Sequence, residues 1–408
     1  MTADTTTAPN AASPWWTSRF GHVSSTGWRL LTGLGLSRLG FVVVPFAAYW
    51  LASDRNLNPA QVTLVMTAFG AGWMLGVPTG GTMADRIGRK PTIITANTLS
   101  AGAFLLLGAA PTLVWLGVAA VAAGLTFDLA RPAVQALLTD TTDPQTRPKI
   151  LALLYWIMNL SRAVSCIIGG LLADKDFRLL FVLNAVLNLA FAAMVAVGVT
   201  DTTAPVPRRG HAPWRQVLSD RPMAAFTGVT LVFLVVHTQS TVTLPIVMDQ
   251  AGIPPTWYGV ILAADPIAVV IAQLLLQRLL ATLPAPKVCA AGIAAIGIGL
   301  PITALGNTVT WFIATTPLWV AGEVMFLSVA PGIVAGLASP QLRGAYFGTW
   351  GATLGAAALA GPALAAVLLN LGGSALLWAV CATVAAAAAL ACLRLNPSPA
   401  SDYVEERQ

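Results

Sequence analysis

The chain has 408 residues, 56% of them hydrophobic and only 9% charged, with a mean hydropathy of +0.75. A soluble domain is about 25% charged, so a water-surrounded fold is excluded. Apolar runs of ~20 residues predict an all-α polytopic membrane protein instead. The formal net charge of +6 raises the question of a nucleic-acid partner, which the placement of the basic residues answers.

In chain order, residues 1–27 read as a polar N-terminal tail without the basic and apolar regions of a cleavable signal. Twelve spans are then predicted, starting near Trp28, Gln61, Pro91, Thr112, Lys149, Arg178, Met223, Thr256, Pro286, Val309, Arg343 and Ser374. The first carries Arg38 and Pro45. The second runs into the stretch GGTMADRIGRKP (80–91), where Asp85, Arg86, Arg89 and Lys90 concentrate four charges in six residues. The fourth carries Phe127, Asp128 and Arg131, with Asp128 and Arg131 spaced to pair on one helix face. The fifth contains LLYWIMNLSRAVSCIIGG (153–170), with Trp156, Asn159 and Arg162. The polar, proline-rich stretch 201–222 reads as a linker. Beyond it come His237 in the seventh span, Asp265-Pro266 in the eighth, where a helix kink is expected, Glu323 in the tenth and Trp350 in the eleventh. Residues 396–408 form a polar C-terminal tail.

These spans divide into two halves, 28–200 and 223–395, that echo one another at an offset of about 200 residues. DPQTR (143–147) answers SPQLR (339–343), Phe127 and Pro132 answer Phe326 and Pro331, and Pro45 answers Pro245. With the N-terminus placed inside, sixteen of the 22 Lys and Arg fall on the cytoplasmic side, three (Arg55, Lys175, Arg178) outside and three (Arg38, Arg131, Arg162) within spans. That asymmetry puts both termini in the cytoplasm. It also makes the basic balance a topology signal, with no nucleic-acid partner. The Ala and Gly richness fits a GC-rich bacterial genome, and hence a bacterial plasma membrane.

GTMADRIGRKPTI (81–93), between spans two and three, is similar to the loop motif of the major facilitator superfamily, whose fold is built from duplicated six-helix halves. The resemblance implies a twelve-helix fold of two pseudo-symmetric bundles, acting as a monomer. It also implies a gating role for Gly81, Asp85, Arg86, Gly88, Arg89 and Lys90. Asp85 ends its own helix, where the dipole disfavours a carboxylate. It therefore needs a partner, either Arg89 or the start of span eleven near Arg343-Gly344. Gly80 and Gly81 would let span two approach a neighbour, and Gly88 the chain reverse.

Spans five and ten resemble those of the twelve-span drug:proton antiporters, with Glu323 in the matching acidic position. Ser165-Cys166 stands where that group has Gly-Pro, and VWLGVAAVAAG lacks its span-four Arg. The implied function is export of small amphiphilic molecules by proton antiport. The alternative is a proton-coupled uptake symporter or facilitator of a small organic anion or zwitterion.

Ionisable groups inside spans are functional candidates. Glu323 has no charged neighbour on its helix and is a candidate proton carrier, as is Asp128. A carboxylate permanently hydrogen-bonded, or paired with a base from the other half, is the structural alternative for Glu323. Arg38 and Arg162 have no acid on their own helices and either bind an anionic group or face an acid across the cavity. Together with Asn159, Trp156, Phe127, Asp265 and Trp350 they make up the expected substrate site. His237 reads as a hydrogen-bonding residue. Three arginines against one acid in the first half, and two acids and a histidine in the second, predict a positive and a negative cavity wall. They point to an amphiphilic substrate with an anionic or zwitterionic group.

No DxxxD run, paired histidines or Ser/His/Asp set supports an enzyme, and no GxxxxGK[ST] loop supports ATP drive. No cofactor or metal is expected. The four scattered cysteines read as buried small hydrophobes.

Overall fold

The computed structural model describes residues 25–141, 147–199, 217, 219–275, 283–338 and 343–394. The terminal tails and most of the linker lie outside the described residues, as do the loop sequences 142–146 and 339–342 of the repeat.

The chain crosses as α1 (Thr26–Ser53), α2 (Pro59–Ile87), α3 (Arg89–Ala109), α4 (Leu113–Leu138), α5 (Arg147–Ala173) and α6 (Arg178–Gly198). It continues as α7 (Arg221–Gln250), α8 (Pro255–Leu275), α9 (Ala285–Ala304) and α10 (Val309–Leu337). The stretch Arg343–Arg394 is then cut by non-helical Gly372 and Gly373 into α11 (343–371) and α12 (374–394). Gly373 takes φ 69°, which favours a residue without a Cβ. The result is a twelve-helix membrane fold, each helix starting within three residues of its expected place.

Local chemistry sets these boundaries. Asn58 and Gln61 bond each other's backbone N–H groups (3.0 and 3.1 Å) in a capping box that opens α2 at Pro59. Thr112 and Thr308 accept from the amides of Trp115 and Trp311 and so start α4 and α10 alike, one in each half. Gly88, at φ 93°, turns α2 into α3.

Three prolines accompany helix breaks inside the spans. Before Pro45, α1 passes through a 3₁₀ turn at Gly40–Val42, and Asn184 of α6 donates to the Gly40 carbonyl (2.6 Å). Pro132 offers no N–H, so the Asp128 carbonyl accepts from Arg131 instead (3.1 Å) and α4 divides there. Thr243 interrupts α7 next to Pro245. In lipid such freed backbone groups need protein partners. At Asp265-Pro266, where the sequence predicts a kink, Pro266 lies inside the helical segment α8.

The halves meet along α2–α11, α5–α8 and α1–α7. Within the first half, α2 and α4 approach through Gly72, Gly76 and Gly80, spaced one helical turn apart, and through Gly124. A Cβ on any of them would overlap the facing backbone at Val121, Leu125, Leu129 or Phe69. Helices in lipid associate by such close van der Waals packing. Gly81 differs from its expected role, because among the described residues nothing lies within 4 Å of the Cβ it lacks.

The paired substitutions Gly80→Ala and Gly81→Ala test this packing. Overpacking a tight contact costs about 1–3 kcal/mol. Gly80→Ala should therefore lower the detergent-solubilised melting temperature measurably, while Gly81→Ala leaves it unchanged.

Candidate substrate and proton site

A cavity of about 370 Å³ lies between the halves. α1, α2, α4 and α5 line it from one side, and α7, α10 and α11 from the other. On the first side stand Arg38, Phe127, Asp128, Arg131, Asn159 and Arg162; on the second stand His237 and Glu323.

The helix break at Pro132 positions Asp128. Its side chain is 3% exposed and is held by two arginines. Arg38 donates through Nη2 to Oδ1 at 2.6 Å, and Arg131 through Nη1 to Oδ2 at 3.3 Å. Arg38 thus faces an acid of the same half, on α4. Its guanidinium also lies 5.9 Å from the centroid of the Phe127 ring. That ring meets Trp73 edge-on at 5.2 Å and lies 5.4 Å from Phe41 and 5.6 Å from Phe69. The triad is thereby bounded by aromatic surface.

In the second half, His237 Nδ1 of α7 lies 3.3 Å from Glu323 Oε2 of α10. Glu323 therefore lies beside a histidine of its own half, an ion pair when that histidine is protonated; the sequence had offered a permanent hydrogen bond or a base from the other half. His237 was absent from the expected site, and the repeat held the signal for it. His237 follows Arg38 by 199 residues, the offset that relates Phe127 to Phe326 and Pro132 to Pro331. Each half sets a basic side chain of its first helix against an acid of its fourth. The acids are displaced by one turn, since 199 residues beyond Asp128 stands Leu327, four after Glu323.

The remaining expected site residues scatter. Trp156 is 39% exposed and is not among the cavity-lining residues. Trp350 donates through Nε1 to Thr230 (3.2 Å), tying α11 to α7 outside the cavity. The side chains of Asp85 and Asp265 lie outside the described residues, as do those of Arg343 and Gly344. In the loop motif Arg86 is exposed. Arg89 reaches the Ala136 carbonyl at the end of α4 (3.4 Å), a contact inside the first half.

The two faces of the protein differ. At the face opposite the 80–91 loop, Tyr258 of α8 has its hydroxyl within reach of the Pro45 carbonyl of α1 (3.0 Å) and the Ser240 carbonyl of α7 (3.3 Å). Tyr49 donates to Ile253, and Thr256 to Asp174 and Gly170. The backbone of α8 lies against Gly170, and Gly259 against Cys166 of α5. Nearer mid-depth, Gly70 of α2 lies against Ala358 of α11, and Gly355 against Met74. Towards the loop face, a Cβ added at Gly81 of α2 or at Gly348 or Gly351 of α11 would have nothing within 4 Å among the described residues.

With this architecture in view, the comparisons with known proteins are direct. The family model of the Major Facilitator Superfamily matches residues 30–314 and 229–408. The chain belongs to that superfamily. This major facilitator protein is 24% identical to "Uncharacterized MFS-type transporter YqjV" of Bacillus subtilis over 79% of its length and 82% of that protein's. It is 27% identical to "Multidrug resistance protein MdtH" of Salmonella typhimurium, covering 76% and 78% of the two chains. The Shigella flexneri MdtH match is 30% identical and spans about half of each chain, 53% and 54%. Among solved structures, a peptide transporter POT in complex with sulfate superposes with a TM-score of 0.77 at 15% identity, covering 93% and 95% of the chains. A point mutant of the nucleoside transporter NupG superposes with 0.76 at 11%, covering 90% and 98%. At those identities the likeness is one of fold. This is a multi-pass membrane transporter of small molecules.

The two arginines on Asp128 should contribute unequally. Arg38 is the more buried and the closer, so Arg38→Gln should lower the melting temperature more than Arg131→Gln. The loss for a half-broken buried pair is about 1–3 kcal/mol, because the remaining arginine still answers the carboxylate. Equal losses in a thermal-unfolding assay would contradict this ranking.

Proposed function

We propose that this transporter exports small amphiphilic molecules by proton antiport, working by alternating access from a bacterial plasma membrane with both termini cytoplasmic. The observation that carries the reading is the pairing of His237 with Glu323 at 3.3 Å on the wall of the cavity between the halves. A carboxyl held against an imidazole beside the substrate space can exchange a proton while substrate enters or leaves. Asp128, the other candidate carrier, is clasped by two guanidiniums that do not deprotonate. Its role in this reading is to hold charge in place, and Glu323 carries the proton. The MdtH relatives, named for multidrug resistance, favour export as the direction.

The contacts between halves support a simple cycle. The face opposite the 80–91 loop is joined by Tyr258, Tyr49 and Thr256, while towards the loop face the Cβ directions of Gly81, Gly348 and Gly351 open on free space among the described residues. Substrate enters from the loop face, the basic side assigned to the cytoplasm. Closure of that side through the 80–91 motif then accompanies rupture of the Tyr258 ties. Outside protons reach Glu323 and return the protein to its starting state.

Flux in proteoliposomes tests this. Wild type and Glu323→Gln are reconstituted, a pH gradient is imposed, and amphiphilic substrates are added with an internal pH probe. Substrate-driven proton movement should appear in the wild type and fall at least ten-fold in the variant, with downhill substrate flux retained. If both variants move substrate equally without proton movement, the protein is a facilitator.

A further inference from the structure

We infer that the cavity selects organic monoanions, binding a carboxylate or similar group at the Arg38–Asp128–Arg131 triad against an aromatic wall. The inference rests on the cavity being the substrate site, as proposed above, and adds the chemical class of what enters it.

The argument begins with charge. Two guanidiniums face one carboxylate, so the triad carries one positive charge in excess. All three side chains line the cavity. An uncompensated charge at membrane depth is costly, and a mobile anion relieves that cost. The donors for such an anion are present. Arg38 spends Nη2 on Asp128 and is the more buried of the two, 15% exposed. Arg131 is the more open, 29% exposed, with only a 3.3 Å bond to the shared carboxylate. Planar guanidiniums of this kind recognise carboxylates by paired hydrogen bonds.

The surroundings favour an organic anion. Phe41, Phe69, Trp73 and Phe127 line the cavity beside the triad. A flat apolar body fits against such a wall, and a volume of about 370 Å³ lies in the range of small-molecule sites. Across the cavity, Glu323 is engaged by His237. A cationic drug would meet the like charge of the triad there. The half repeat points the same way. At the position equivalent to Arg38 the second half uses His237, which can lose its charge, whereas the first half uses an arginine, which cannot. The first half therefore stays positive through the cycle, and the second half titrates.

Binding to the full-length protein in nanodiscs of uncharged lipid tests this without any transport measurement. The probes are 2-naphthoate, its neutral carboxamide and 2-naphthylmethylammonium, titrated calorimetrically. Naphthoate should bind at least ten-fold more tightly than the carboxamide, and the ammonium should be weakest. Arg131→Gln should erase the ten-fold margin, and Asp128→Asn should widen it, because it removes the competing carboxylate. If Asp128→Asn does not fold, Arg131→Gln and Arg38→Gln decide the matter alone.

The inference is overturned if the carboxamide or the ammonium binds as tightly as naphthoate. It is equally overturned if the margin survives in both arginine variants. If chloride or phosphate displaces naphthoate at equal concentration, the triad holds an inorganic counter-ion and the substrate class assigned here is wrong. Proton-coupled efflux of a cationic dye would leave the proposed export intact while removing this inference. A naphthoate preference without proton-coupled flux would do the reverse.

Discussion

The carbonyl of Asp128 cannot receive the usual bond from residue 132, because Pro132 has no N–H, and much of the cavity is arranged around that gap. The break ends the first segment of α4 at Phe127 and turns Asp128 inwards, where Arg38 and Arg131 answer it. Charge in a low-dielectric interior must be matched locally. The position of one proline thus settles where an acid can sit, which helix must supply its partner, and where the aromatic side chains around Phe127 find space. The other half repeats the scheme with one change of chemistry, a histidine in place of the arginine.

A second constraint is lipid. Between helices in a membrane no hydrophobic force acts, so association depends on how closely the backbones approach. The Gly72, Gly76 and Gly80 stripe clamps α2 to α4 and makes the first half one body, while Gly70 and Gly355 bring α2 against α11 of the other half. The same helix therefore packs extensively on both sides, against α4 within its own bundle and against α11 of the other.

The fold was largely legible in the sequence, because a bilayer converts span length and basic asymmetry into simple signals. The helix starts at Arg178, Val309 and Arg343 fall on the residues that the apolar pattern indicated. The site was legible in part. Arg38, Asp128, Arg162 and Glu323 stood out as charges within apolar runs, and all four line the cavity. Which side chains pair was not readable, since pairing depends on helix rotation and on breaks such as the one before Pro132. Trp156 and Trp350 sat on the right helices and faced elsewhere for the same reason. His237 stood out as an ionisable group in a span and read as a hydrogen bonder; its place beside Glu323 was legible only through the internal repeat, as the counterpart of Arg38.

The contact of Gly70 with Ala358 has a mechanical consequence for the cycle proposed above. It sits part-way along both helices, so that in that cycle α2 and α11 would act as a pair of levers about the Gly70 and Gly355 contacts. From Gly70 to Gly81 is eleven residues, an arm of about 16 Å at 1.5 Å per residue. A tilt of roughly 20° about the pivot sweeps the far end of such an arm by about 5–6 Å. The arms on the other side of the pivot move the opposite way, against the Tyr258 ties. A side chain larger than hydrogen at residue 70 would lengthen the axle, spread the levers and leave the two ends of the protein mechanically uncoupled.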